Sequence, residues 1–333
     1  MNKNMKQWVS GVIQSPKKKA MPILSFPAVQ LLGISVRELI SDGETQAKAM
    51  KAVAGRVPSL ASVSLMDLSV EAECFGAQIK FSDFEVPTVT GKLIETPEDA
   101  DALEVPAMGS GRTGIYVGAI GKAVKMITDR PVLAGIIGPF SLAGRLVDVT
   151  EAMILCYEDP DMLHALLEKV VSFSIEYARS YKAVGADGVI IAEPLAGMLS
   201  PALCEEFSSP YVRKIVEAVQ DDSFIVVYHN CGNNTVKMLD SLLSVGAAGY
   251  HFGNAVSMRD VMPNMPENVL AFGNVDPAGQ LRNGTPESVR EATLAVMNDC
   301  ADYKNFVISS GCDIPPLTPW ENIDAFFKAV EAF

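Results

Sequence analysis

The chain has 333 residues, 49% of them hydrophobic, enough to bury the core of one large α/β domain, and residues 1–333 are expected to form a single domain. A formal net charge of −13 and a pI near 4.8 exclude a phosphate backbone as partner, because its recognition depends on clustered Lys and Arg. No apolar run approaches the ~20 residues that cross a bilayer, the opening segment lacks a signal-peptide core, and six cysteines in so long a chain read as reduced thiols, so a cytoplasmic protein with neither nucleic acid nor membrane as partner is predicted.

In chain order, MNKNMKQWVSGVIQSPKKKA predicts an N-terminal helical extension whose Lys17–Lys19 run is a solvated loop. Eight short apolar runs follow: MPILSF (21–26), SVSLMDL (62–68), VLAGIIG (132–138), GVIIAE (188–193), FIVVYH (224–229), AGYHF (248–252), VLAFGN (269–274) and FVISSG (306–311). Helical patterns separate them. In the pattern that starts at Asp159, the aspartate can cap, Pro160 fits the first turn, Leu163, Leu166, Leu167 and Val170 share one face, and Gly185 is a stop. Ser200-Pro201, Thr285-Pro286 and Thr318-Pro319 repeat this punctuation, the last with Glu321 placed to complete a capping box. Residues 81–114 are too rich in Pro, Gly and Thr for a plain crossover helix and predict an elaborated flap. Strands buried on both faces and alternating with helices imply a parallel sheet, and eight such units close a (β/α)8 TIM barrel. An open doubly wound sheet is disfavoured, because no Gly-x-Gly-x-x-Gly turn follows an early strand.

In a barrel the carboxyl ends of the strands converge on one mouth. Reading outward from each run places Asp67, Glu193, His229 with Cys231, His251, Asn274 with Asp276, and Cys312 there. His229 and Cys231, two positions apart on an extended strand, share a face. With Cys312 they offer one imidazole and two thiols, a set that suits zinc, and three ligands with an open position are the catalytic pattern. Two thiolates and a neutral imidazole cancel the charge of Zn2+, which suits holding an added thiol as thiolate better than activating water; alkyl transfer to sulfur follows. Asp67 and Glu193 are the candidate catalytic carboxylates, and Tyr228, Asn233, His251, Asn274 and Asp276 the candidate substrate contacts. Cys74, Cys156, Cys204 and Cys300 fall in helical patterns and read as packing residues.

The elements GPFSLAGRL from Gly138, GADGVIIAEPLAGMLSP from Gly185, YHNCGNN, AFGNVDP and SSGCDIPPLTPWENI carry a resemblance. The sequence resembles the uroporphyrinogen decarboxylase superfamily, and within it the methylcobamide:coenzyme M methyltransferases and related corrinoid-dependent methyltransferases. The resemblance implies a (β/α)8 barrel and zinc ligation by His229, Cys231 and Cys312. It also implies attack of a zinc-activated small-molecule thiol, coenzyme M or a relative, on the methyl group of methylcobalamin presented by a methylated corrinoid protein. Asp67 stands where the decarboxylases carry their catalytic aspartate, so a carboxy-lyase using Asp67 is the alternative. Against it, only Arg37 lies in PILSFPAVQLLGISVRELI, where the decarboxylases gather arginines. Glu193 replaces an aspartate of close relatives and is a possible displaceable fourth ligand, while His251 and Asn230 depart from the coenzyme M enzymes. A non-catalytic corrinoid-binding protein with structural zinc is the second alternative.

Overall fold

The structure, a computed structural model, describes residues 3–333. Among the described residues nine strands form: β1 (Ser62–Val63), β2 (Gln78–Lys80), β3 (Thr88–Thr90), β4 (Val132–Ile137), β5 (Gly188–Ala192), β6 (Ile225–Asn230), β7 (Gly249–Phe252), β8 (Leu270–Val275) and β9 (Phe306–Ser310). Seven of them build one parallel curled sheet in the order β1-β4-β5-β6-β7-β8-β9, wrapped by helices as in a TIM barrel. Every residue of β5 to β9 is buried, which is why these strands read as continuous apolar runs. Alternation along each strand divides the core in two. Leu133, Ile190, Ile225, Val227, Leu270, Phe272 and Val307 fill the barrel interior, whereas Val226, Tyr228 and Tyr250 face the helices.

The run MPILSF is extended but is not a strand. Met21 N–H donates to the Ile308 carbonyl at 2.9 Å, Ile308 N–H to the Lys19 carbonyl at 3.1 Å, and Leu60 N–H to the Ala20 carbonyl at 2.8 Å, so residues 19–21 join the two sides of the sheet. The ladder stops there because Pro22 has no N–H and Ile23 N–H turns to the Ser310 hydroxyl at 3.1 Å. Below this closure the N-terminal helix Met5–Ile13, capped by Asn4, buries Met5 and Val9 against the interior cluster and plugs the barrel floor.

Helix Pro160–Ala183 starts at Asp159, whose carboxylate accepts from Met162 N–H, and its four sequence-identified apolar residues are buried. Each such side chain contributes about 1.5–3 kcal/mol relative to exposure. It ends before Gly185, whose φ of 96° only glycine adopts freely. Ser200 and Thr285 cap helices Pro201–Phe207 and Pro286–Asp299. Thr318 does not cap the last helix. Pro319 occupies the cap position of Trp320–Ala332, one residue later than the spacing implied, and the Thr318 hydroxyl is buried without a partner.

The flap contributes β3, which pairs antiparallel with β2 just before it, and the short helix Pro97–Ala102, capped by Thr96. Its second half is fixed to the barrel: Leu93 and Ile94 N–H share the Leu146 carbonyl, and the Lys169 ammonium donates to the carbonyls of Ala100 and Asp101, both at 2.7 Å. Among the described residues no helix is long and apolar enough to cross a membrane.

Candidate metal centre

His229 is the fifth residue of β6 and shares the inward face of Ile225 and Val227. Cys231 lies just past the strand on the same side, and Cys312 two residues past the end of β9. The imidazole nitrogen and both sulfurs lie within 4.8 Å of one another, with His229 Nε2 3.6 Å from Cys312 Sγ. A tetrahedral zinc ion sets such donors roughly 3.6 Å (N to S) and 3.8 Å (S to S) apart, from its bond lengths of about 2.0–2.3 Å. The three donors therefore fit zinc in number, kind and spacing.

Glycines allow this convergence. A Cβ on Gly253, at the end of β7, would stand 2.4 Å from Cα and Cβ of Cys231. One on Gly232 would stand 2.2 Å from the Gly197 carbonyl oxygen, so the loop after β5 lies directly on the His-x-Cys loop. The interaction between the two thiols holds Cys231 below the usual thiol range and, together with burial, pushes Cys312 up to about 12. Behind His229, Nδ1 lies 2.8 Å from Nδ1 of His251, and His251 Nε2 lies 2.8 Å from the Ser309 hydroxyl. Ser309 donates to the Met21 carbonyl at 2.8 Å. Burial and the adjacent His229 ring depress the His251 pKa well below the ordinary imidazole range, so this ring is neutral.

The other sequence-identified residues do not join the cluster. Asp67, after β1, accepts from Ser69 N–H (3.1 Å) and Ser69 hydroxyl (2.6 Å) on one oxygen, and from Arg112 and the Tyr116 hydroxyl (2.7 Å) on the other. Arg112 also donates to Glu73 at 2.6 Å, so this buried clamp ties the far end of the flap to β1. Glu193 stands one residue past Ala192, the register partner of His229, and so faces the opposite side of the sheet. It accepts from the N–H groups of Phe140 (2.8 Å) and Ser141 (3.0 Å) and from the Ser141 hydroxyl (2.7 Å) at the start of helix Pro139–Val147. Burial pushes its pKa up to about 7 against these donors.

Tyr228 points toward the helices and its hydroxyl accepts from the Asn230 amide at 3.3 Å. His251 is fully buried with both ring nitrogens engaged behind His229. The Asn274 amide donates to the carbonyls of Gly253 (3.0 Å) and Val256 (2.7 Å), bracing the loop that carries Gly253. Asp276 caps the turn Pro277–Arg282. Asn233 is exposed on the loop after Cys231. Sequence reading missed Arg112 and Tyr116, which lie in the flap and the helix after it, and Ser309, which lies inside an apolar run. It also passed over Asp313, the neighbour of Cys312, whose Oδ1 is buried without a partner and whose pKa burial and then Cys312 push well above the carboxylate range.

Residues 16–333 match the family described as Uroporphyrinogen decarboxylase (URO-D). The chain is 31% identical over 276 residues to a methylcobamide:CoM methyltransferase MtbA of Methanosarcina acetivorans, covering 80% of this chain and 78% of the relative. It is 27% identical over 291 residues to a uroporphyrinogen decarboxylase of Coxiella burnetii, covering 84% and 78%. Among solved structures, a methyltransferase from Methanosarcina mazei superposes with a TM-score of 0.88 at 24% identity over 99% of both chains, which establishes the common fold. The chain belongs to the uroporphyrinogen decarboxylase family and is an enzyme of its methyltransferase branch.

Proposed function

We propose that this protein transfers a methyl group from a methylated corrinoid protein to a small-molecule thiol, coenzyme M or a relative, at a zinc centre held by His229, Cys231 and Cys312. The observation that carries the proposal is the convergence of these three donors, from two strand ends 83 residues apart, within 4.8 Å of one another. When bound, zinc supplies the Lewis acidity that keeps an added thiol deprotonated at neutral pH.

The chain's own residues do the rest. Two thiolates and one neutral imidazole match the charge of a divalent ion, so an added thiolate makes the centre net negative and keeps its sulfur nucleophilic. His229, with only 2% of its surface exposed, closes the inner side of the centre, and the half-buried sulfurs face the mouth, so the acceptor enters from there. Phe84 in the flap and Met198 and Leu317 in the segments that follow β5 and β9 are exposed, and they are the apolar rim proposed to receive the corrinoid protein. Met198 is next to Gly197, which packs on the Cys231 loop, so docking there and alignment of the methyl group are mechanically linked. All six cysteines are free, in keeping with the reducing cytoplasm expected of the reaction.

A carboxy-lyase reading would need Asp67 to act on a substrate, yet both its oxygens are occupied by Arg112, Tyr116 and Ser69. The test is a metal assay on purified protein combined with methylcobalamin demethylation, followed by absorbance, across candidate thiols. One zinc per chain and thiol-dependent demethylation are expected, both lost in His229→Ala and Cys312→Ala with the fold retained. Stoichiometric zinc without demethylation by any thiol overturns the acceptor assignment, and unfolding on zinc removal makes the metal structural.

A further inference from the structure

The hydrogen bonds behind His229 have a direction. The Met21 carbonyl can only accept, so Ser309 spends its single hydroxyl hydrogen there, at 2.8 Å. The Ser309 oxygen then has only lone pairs to offer His251 Nε2, also at 2.8 Å, and that nitrogen must carry the hydrogen. His251 is fully buried, its ring stacks on Phe272, and its nitrogens meet His229, Ser309 and the Ser310 backbone, with no carboxylate to balance a charge. A neutral ring with its hydrogen on Nε2 presents a lone pair at Nδ1. His229 Nδ1, at 2.8 Å, must then be the donor, which leaves the lone pair of His229 on Nε2, the atom 3.6 Å from Cys312 Sγ.

We infer that His251 and Ser309 are positioning residues that fix the His229 tautomer, so that Nε2 faces the two thiols ready to bind metal. The inference rests on the metal-centre reading for its consequence, but the tautomer itself is a property of the metal-free chain. Register builds the relay: His229 and His251 are paired neighbours on β6 and β7, and Ser309 lies inward on β9, beside the Met21 segment that closes the barrel. The closure of the barrel is thereby connected to the metal ligand through two side chains, Ser309 and His251. Loss of such an outer partner typically lowers metal affinity 10–100-fold.

The chain has only three histidines, so ring nitrogens are assignable by long-range 1H–15N correlation spectra of the full-length metal-free protein labelled at histidine, with His164→Gln as an assignment control. In wild type, His229 is expected to show the hydrogen on Nδ1. His251→Asn places an amide oxygen where Nδ1 stood and should preserve that state and zinc affinity. His251→Leu, which removes the acceptor, and Ser309→Ala, which frees His251 to reverse its own hydrogen, should give mixed tautomers and zinc binding about 10–100-fold weaker. A His229 ring with its hydrogen on Nε2 in wild type overturns the inference, as does a pure Nδ1 tautomer with unchanged zinc affinity in His251→Leu. If the tautomers behave as expected while wild type binds no zinc, the metal reading fails and the relay stands.

Discussion

Replacing Gly253 by Ala tests how closely the metal donors depend on backbone contact. The added methyl would stand 2.4 Å from both Cα and Cβ of Cys231, atoms that cannot swing away as a flexible side chain can. Carbon contacts settle at about 3.5–4.0 Å, so the Cys231 backbone must retreat by roughly 1.1–1.6 Å. Metal–ligand distances tolerate only about ±0.2 Å, so that retreat removes one sulfur from the reach of an ion held by His229 and Cys312. Zinc affinity should fall by a factor on the order of 100 or more, beyond the effect of losing an outer partner. Overpacking costs about 1–3 kcal/mol, within a domain stability of about 5–15 kcal/mol, so the fold should persist. Competition titration of the metal-free protein against a chromophoric zinc chelator measures the first quantity, and urea melts followed by circular dichroism measure the second. Wild-type zinc affinity in a cooperatively folding Gly253→Ala protein would refute the reasoning, because Cys231 could not then be both displaced and a ligand.

Arg112→Met strips the buried Asp67 carboxylate of its cation and should destabilise by about 3–5 kcal/mol in urea melts, with partial recovery on adding Asp67→Asn; a loss below 1 kcal/mol would show that the clamp is not structural. Glu193→Gln turns an NH2 group toward the N–H donors of Phe140 and Ser141, so it should cost about 1–3 kcal/mol while leaving zinc affinity unchanged, and zinc loss with intact folding would place Glu193 at the metal after all. Glu71, buried beside the Ile137 N–H, has its pKa pushed up from 4.5 to about 8 by burial. Between those values the unfolded chain has released a proton the native state still holds, so stability falls as pH rises through the window, by a few kcal/mol at most. Glu71→Gln should flatten that slope, and identical pH profiles for the two proteins would count against a protonated native Glu71.

Local chemistry explains which parts of the fold could be read in advance. The caps at Asp159, Ser200 and Thr285 each depend on one side chain and the N–H groups within a turn, so spacing alone located them. Thr318 misled because Ser/Thr-Pro spacing is the same whether proline stands at the cap or inside the first turn, and only the ψ of 131° at Pro319 separates the two. MPILSF misled for a different reason. Its composition suits a strand, but Pro22 and the Ser310 hydroxyl interrupt the ladder that strand assignment requires. The β2–β3 pair was invisible because its three-residue strands are mostly exposed and polar, with no apolar periodicity.

At the site, one physical rule separates what was legible from what was not. Period-two alternation united His229 with Cys231, and the same alternation, applied one residue past the end of β5, turns Glu193 away from them. Position at a strand end was therefore insufficient; parity decides which polar residues look into the barrel. Following it along the register gives His229, His251 and Ser309 on the inward face, surrounded by Val227, Phe272 and Val307. In an apolar interior each polar atom must find a partner within that small set. His251 finds His229, Ser309 and the Ser310 backbone, and Ser309 finds His251 and the Met21 carbonyl. The order of those bonds follows from counting hydrogens, and it ends with a bare nitrogen pointing at two sulfurs. The Asp67–Arg112 clamp obeys no such counting, because its cation comes from a flap 45 residues away whose path no strand register specifies.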